Sequence, residues 1–456
     1  MPIRFRAPVS LGLHAPAGML SPSGASRAAS RLSSRTAAFS HPCIPAGRQI
    51  ARAFSGAAQV SASDHSVKIV SSEAAKRAEL DNCRCASCVN QDTSQRNFDT
   101  FKIPSSIRAS EASADDKGLN IVWSGDNHKS HYPWDFVRFY QNNDYRSPEE
   151  VDFKYWSSAI AKEPPTVSYD AVMDTSEAGI AKLTDLIRRY GFAFVDGTPY
   201  EDPTDTERLL ERIAFIRVTH YGGFYDFVPD LAMADTAYTN LPLPAHTDNT
   251  YFTDPAGLQA FHLLSHHAPP TENPTETLGG ASILVDGFYA AGILRKEDPD
   301  AFDILSRVRL PWHASGNQGI TISPDRRYPV FELLDEQDRD ASGKHNSARL
   351  NRVRWNNDDR GIVPFGGPDA DGIDPVRWYE AARKWSDIIK RPDVEYTVQL
   401  KPGRPLIFDN WRVMHGRQTF VGVRRMCGGY INRDDFISRW RNTNYPRGQV
   451  LNQVVG

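Results

Sequence analysis

Residues 394–408 read Val-Glu-Tyr-Thr-Val-Gln-Leu-Lys-Pro-Gly-Arg-Pro-Leu-Ile-Phe. Val394, Tyr396, Val398 and Leu400 alternate with Glu395, Thr397, Gln399 and Lys401. A period of two is that of a strand with one dry and one wet face. Pro402-Gly403 suits the centre of a type II turn, where the second residue needs a positive φ. Leu406-Ile407-Phe408 then returns as a buried strand. Working outward, Ser282 to Val285 forms another strand before Asp286-Gly287, read as a turn. Upstream the texture is helical. Ile180, Leu183, Leu186, Ile187 and Tyr190 follow a 3.6-residue period and end at Gly191, with Phe192–Val195 as a strand behind them. Thr204 and Glu207 have capping-box spacing and open a helix carrying Leu209, Leu210, Ile213 and Ile216. Val376 to Ile389 forms a further amphipathic helix, stopped by Pro392. Short strands between turn signals, with helices mainly before them, predict a mainly β fold with flanking helices: a jelly-roll, or double-stranded β-helix, spanning about 165–456.

A second, smaller unit is expected at 64–145. Leu119–Trp123 reads as a strand and Gly125-Asp126-Asn127 as a turn; a polar connection from Ser147 to Pro165 follows. The first 63 residues differ from everything after them. They hold seven Arg and eleven Ser but no Asp or Glu. An Arg-rich, Ser-rich, acid-free start is the composition of an organelle transit peptide. Arg52-Ala53-Phe54-Ser55 resembles a mitochondrial processing site, so residues 1–54 are expected to direct the chain to the mitochondrial matrix.

Composition narrows the remaining classes. The 456 residues carry a net charge of −3, which gives no general attraction to nucleic acid or anionic membrane. No run of about 18 apolar residues exists, so no integral membrane segment is expected. Five Cys are too few for a disulfide scaffold of this length. Three of them, Cys83, Cys85 and Cys88, fall within six residues. Thiolates so close on a turn can converge on zinc, with His128 or His131 as the fourth ligand, and a site closed by four protein ligands is structural.

His246-Thr247-Asp248 is the second cluster. In an extended chain residues i and i+2 face the same way, so His246 and Asp248 can hold one cation. His415, far along the chain, would complete two imidazoles and one carboxylate on one face of an octahedron. That set leaves three positions open and suits non-haem Fe(II). Arg424 and Arg425 follow His415; an oxygenase using 2-oxoglutarate needs a buried cation for the cosubstrate's distal carboxylate, and Arg binds it bidentately. The aromatic run from His220 to Phe227, with Tyr238, offers ring faces for a quaternary ammonium. Asp235 is an anion in an apolar setting, able to pair with a ligand amine or to cap a turn.

With these residues in hand the chain resembles the γ-butyrobetaine/trimethyllysine hydroxylase family of 2-oxoglutarate oxygenases. The resemblance rests on Asp235–Thr239, His246–Phe252, Val285–Ala291, Asp409–Arg417 and Cys427–Tyr430 with Arg433–Asp435, and covers roughly residues 80–445. It implies Fe(II) on His246, Asp248 and His415, and zinc on Cys83, Cys85, Cys88 and His128. It implies 2-oxoglutarate as cosubstrate on Arg424 beside Ser282, with ascorbate keeping iron ferrous. Asn356 or Asn357 would contact the substrate's polar end, and Tyr221, Tyr225 and Tyr238 would form an aromatic cage. Tyr225 stands where the family more often has Trp, and Val228 where it is often aromatic. The expected reaction is C3 hydroxylation of N6-trimethyl-L-lysine with O₂, giving succinate and CO₂, the first step toward carnitine. Hydroxylation of γ-butyrobetaine is the alternative, and a non-catalytic methyl-ammonium binder is the alternative of another class. Asp235 favours trimethyllysine, whose α-ammonium it can offset. The small-molecule substrate and O₂ are the expected partners, with a homodimer as the expected assembly.

Overall fold

The computed structural model describes residues 80–141, 151–228, 239–268, 278–316, 319–334, 343–345 and 348–454. The expected transit segment, Asp235 and Tyr238 therefore lie outside the described residues. The first unit is a three-stranded antiparallel sheet of β1 (Ala109–Ala114), β2 (Gly118–Trp123) and β3 (Lys129–Pro133), followed by helix α1 (Trp134–Gln141). Its core packs Leu119, Ile121, Trp123, Tyr132 and Phe136. Trp123 is fully buried and spends its indole N–H on the Ser130 hydroxyl at 2.9 Å, so its bulk is buried without leaving an unpaired donor.

The second unit begins with β4 (Thr166–Ser168), α2 (Tyr169–Met173), α3 (Ala178–Tyr190), β5 (Phe192–Asp196) and α4 (Thr204–Ile213). Then come β6 (Tyr225–Phe227), β7 (Leu243–His246), β8 (Leu258–His267) and β9 (Ser282–Asp286). Helices α5 (Gly287–Glu297) and α6 (Pro299–Arg307) lead to the hairpin β10 (Phe331–Leu333) and β11 (Leu350–Val353), and to α7 (Pro375–Ile388). Strands β12 (Tyr396–Val398), β13 (Leu406–Asp409), β14 (Val413–Arg417) and β15 (Val423–Ile431) follow, then α8 (Arg433–Asn444) and α9 (Arg447–Val454). Two sheets form the jelly roll. One is six-stranded, in the order β4-β5-β13-β8-β15-β6, and the other four-stranded, in the order β12-β9-β14-β7. Every pairing is antiparallel except β4 with β5. Phe192, Leu263, Leu284, Phe408 and Met426 pack together from both sheets.

The opening stretch folds as its pattern dictates: Val394, Tyr396 and Leu400 are buried while Thr397 and Gln399 are exposed. Gly403 has φ 78° and Arg404 N–H bonds to Lys401 O, closing the turn. Gly191 ends α3 with φ 82°. Four readings are corrected. Thr204 does not cap α4; it lies inside the helix, and Asp202 accepts from its N–H at 2.8 Å. The helix stops at Ile213, and Ile216 bridges to Ile431 instead. Asp286 is not a turn residue but the N-cap of α5, accepting from the N–H groups of Phe288 and Tyr289. Finally, helices do not only precede the strands. α5, α6 and α7 are inserted between β9 and β12 and build their own core around Phe302, Trp312, Phe331 and Trp385.

The stretch read as a bare connection also has structure. Trp156 is buried at the edge of Phe192 and donates to Tyr190 O. Its own N–H bonds to Asp286, which forms a two-pronged pair with Arg412; both partners are buried. Arg412 also donates to Arg189 O and Lys154 O. A buried ion pair holds only if its remaining donors and acceptors are satisfied, and this one is.

Candidate active site

Strands β7 and β14 pair so that His246 stands directly across from His415. The approach depends on Gly416: a Cβ there would lie 2.5 Å from Leu243 O and 3.0 Å from Ala245 N. The strand reading of His246-Thr247-Asp248 needs correcting, because β7 ends at His246 and Asp248 sits in a bend. The two side chains still converge because Thr247 is pinned the other way, donating its N–H to Trp355 O and accepting from Trp355 N–H. Asn410 then fixes the Asp248 backbone from both sides. Its Oδ1 accepts from Asp248 N–H at 2.8 Å and its Nδ2 donates to Asp248 O at 2.9 Å. Asn249, with φ 57°, turns the chain away.

In the resulting cluster Asp248 Oδ1 is 3.2 Å from His246 Nε2 and 3.8 Å from His415 Nε2. His246 Nδ1 bonds to Pro244 O at 2.8 Å, which places its proton on Nδ1 and turns the Nε2 lone pair inward. Burial, then the neighbouring His246, pushes His415 down to about 3, so its ring is neutral and free to ligate. At His246 burial also favours the neutral ring, but Asp248 and Pro244 O outweigh it and raise the pKa. Burial alone would raise Asp248, yet the two imidazoles and the Tyr430 hydroxyl hold it well below the usual carboxylate range. Two imidazole nitrogens and one carboxylate oxygen converging on a point are the donor set of a facial non-haem iron site.

The cluster lies in the wall of a cavity of about 520 Å³. Arg424 reaches the same cavity from β15 and is 4% exposed. No carboxylate pairs with it among the described residues, and its Nε is buried without a hydrogen-bond partner. Burial, then Arg417, lowers it to about 10, still charged at neutral pH. A buried guanidinium without a counter-ion is costly unless a ligand supplies one. Arg425 is different: it is tied to Asp226 on the neighbouring strand. Arg417 donates to Thr239 O and Leu241 O. Ser282, buried on β9 opposite Arg417, also lines the cavity.

Tyr221, Tyr225, Asn356 and Asn357 line the cavity as well. The Tyr225 hydroxyl donates to Ala260 O, and Tyr251 donates to Tyr221, so these phenols are held at their polar ends. Gly428 makes room: a Cβ on it would stand 2.8 Å from the Tyr225 hydroxyl and 1.9 Å from Ala260 O. Asn356 Oδ1 accepts from Asp358 N–H, and Asn357 Oδ1 from Arg360. Lys390, Arg383 and Arg360 share the lining with Asp358 and Asp359, so both charge signs are present.

In the first unit Cys83, Cys85 and Cys88 place their sulfurs 3.4, 3.7 and 3.3 Å from His128 Nε2. All four ligand atoms lie within 4.8 Å of one another, as corners of a tetrahedron around zinc would. His131 is not among them; its ring bonds to Asn120 on the neighbouring strand. Between Cys83 and Cys85, Arg84 lies over the Phe136 ring and bonds to Asn452 and Leu451 O of α9.

Residues 152–430 match the family described as taurine catabolism dioxygenase TauD, TfdA family. The chain belongs to the TauD/TfdA dioxygenase family. Residues 63–138 match the domain described as γ-butyrobetaine hydroxylase-like, N-terminal. Among curated relatives, "trimethyllysine dioxygenase" of Neurospora crassa is 58% identical, the match covering 82% of each chain. The protein so named from Meyerozyma guilliermondii is 38% identical over 82% of this chain and 91% of its own. The human "trimethyllysine dioxygenase, mitochondrial" is 36% identical over 79% of this chain and 80% of its own.

This TauD/TfdA-family site also holds residues that sequence reasoning did not single out. Gln259 and Tyr430 both donate to Asp248 Oδ2 at 2.7 Å. Burial, then Asp248, keeps the Tyr430 hydroxyl protonated far above neutral pH. Tyr251 and Trp355 complete the aromatic wall. A strand pattern marks Gln259 only as a polar residue in an apolar run, Leu258 to Leu264, and that interruption is the one signal it gives.

Proposed function

We propose that this chain hydroxylates N6-trimethyl-L-lysine at C3, with 2-oxoglutarate and O₂ as cosubstrates, as the first step toward carnitine. The observation that carries the reading is the juxtaposition of the His246, His415 and Asp248 ligand atoms with the buried Arg424, paired with no carboxylate among the described residues, in one cavity. The name of the 58%-identical relative supports the substrate. Iron bound there supplies the redox chemistry that couples decarboxylation of 2-oxoglutarate to oxygen insertion into a C–H bond. In this reading His246, Asp248 and His415 would hold the metal, beside the cavity that they line. Arg424 takes the distal carboxylate of 2-oxoglutarate, with Ser282 beside it. The faces of Tyr221, Tyr225 and Tyr238 receive the trimethylammonium, which has no N–H to donate. Asn356 and Asn357 receive the substrate carboxylate, and Asp235 its α-ammonium. Burial among aromatic walls excludes water from the reacting carbon.

The cysteine cluster is a structural zinc site in the same reading, since four protein ligands leave no position for substrate. The acid-free start directs the chain to the mitochondrial matrix, where ascorbate keeps iron ferrous, and the assembly is a homodimer. The printed name of the human relative, "trimethyllysine dioxygenase, mitochondrial", supports a mitochondrial placement. The decisive test is succinate release with trimethyllysine or γ-butyrobetaine as substrate. Release dependent on trimethyllysine supports the reading. A preference for γ-butyrobetaine, or binding of either without succinate, overturns it.

A further inference from the structure

We infer that Gln259 and Tyr430 are positioning residues that clamp the outer oxygen of Asp248, restricting this carboxylate to a single metal bond through Oδ1. The inference rests on the iron-site reading above and concerns the coordination number, not the substrate.

A free carboxylate can chelate a cation through both oxygens or bind through one. Here the two oxygens of Asp248 have separate surroundings. Oδ1 faces the two imidazole Nε2 atoms. Oδ2 accepts two hydrogen bonds of 2.7 Å, one from Gln259 Nε2 and one from the Tyr430 hydroxyl. To chelate, Oδ2 would have to leave both donors and turn toward the metal. Each is a hydrogen bond to a charged acceptor in a buried place, the stronger class of such bonds.

The donors are themselves fixed. Gln259 on β8 and Tyr430 on β15 are cross-strand partners, so the sheet sets their spacing. Gln259 is 2% exposed and Tyr430 6%. The amide orientation of Gln259 follows from the anion it meets, since the reverse flip would set Oε1 against Oδ2. That assignment leaves Gln259 Oε1 buried without a partner, a cost accepted for the sake of the bond to Asp248. With Asn410 holding the Asp248 backbone, both the position and the rotation of the carboxylate are determined. A carboxylate held to one bond keeps three coordination positions open, the number that a two-oxygen cosubstrate chelate and O₂ require.

The test compares the full-length protein with Gln259→Leu, Tyr430→Phe and the double variant. Fe(II) dissociation constants are measured anaerobically with 2-oxoglutarate present, alongside the thermal midpoint of the metal-free protein. Loss of either donor is expected to weaken Fe(II) binding by roughly 10-fold, with the double variant weaker again, within the range known for groups that orient metal ligands. The metal-free midpoint is expected to fall as well, because the buried carboxylate loses a donor, so the affinity and the Co(II) bands decide. Co(II) in place of iron is expected to show changed visible bands in the double variant, reporting the altered coordination. Unchanged Fe(II) affinity and unchanged Co(II) bands in the variants would overturn the clamp. So would a fall in the metal-free midpoint with affinity unchanged, which is the signature of a packing role. If Gln259→Leu does not fold, Tyr430→Phe, which keeps the ring, decides alone. Failure of the parent to bind iron at all would remove the iron-site reading itself, so the two failures are distinguishable.

Discussion

The two ligand clusters of this chain are built by opposite means. Cys83, Cys85 and Cys88 come from one short stretch, and only His128 is brought from the β2–β3 hairpin. Four soft or borderline donors close on one another, all within 4.8 Å. His246 and His415 come from strands far apart in sequence, with Asp248 in the bend just after the first, and the three donors face a cavity of about 520 Å³. Local ligands make a site that forms with its own small unit. Distant ligands make a site that exists only when β7 has paired with β14. Closure on all sides suits a structural ion, and an open face suits a reaction.

The largest expected effect separates the clusters outright. Asp248→Ala should abolish turnover and iron retention while zinc content and the circular dichroism spectrum stay as in the parent. Near-parent activity at micromolar iron would break the contrast. The reciprocal change, Cys85→Ser, should lose zinc and unfold the first unit while iron is kept, as metal analysis and limited proteolysis would read. Zinc retained at parent level would mean the closed cluster does not hold it. Arg424→Ala sharpens the account of the open face. Losing a charge-assisted pair costs roughly 1.5–3 kcal/mol, so the 2-oxoglutarate KM should rise about tenfold or more. An unchanged KM moves the role to Arg417. The smallest effect concerns substrate choice. Asp235→Asn should shift the ratio of kcat/KM values toward γ-butyrobetaine by about tenfold, because trimethyllysine alone loses a partner for its ammonium. A ratio that stays put would make Asp235 a turn residue.

The strands were legible where their period was strict. Val394 to Leu400 and Leu406 to Phe408 announce themselves, and so does the helix ending at Gly191, whose αL conformation suits a residue without Cβ. Asp286 was misread because an Asp-Gly pair serves equally as a turn and as the start of a helix. Thr204 misled for a similar reason: Asp202, two residues earlier, is the better acceptor and took the N–H. Of the iron site, the ligand types and their spacing could be read. The correction at Asp248 could not, since the bend depends on Asn410, which is 162 residues away. The roles of Gln259 and Tyr430 were not legible for the same physical reason: they arise from cross-strand register, which no local pattern records.

The grip of Arg84 on α9 has a consequence in time. Arg84 and Asn452 are separated by 368 residues, and Asn452 reaches on to Asp135 at 2.9 Å. The first unit is made long before α9, yet it bonds to that helix. At about 5–20 residues per second, roughly 20–70 s pass between making Arg84 and making the residue that completes its hydrogen bonds. Through that interval Arg84 and Asp135 lack their partners on α9. A nascent chain stopped before α9 would carry that deficit permanently, with every ligand of both clusters already in place.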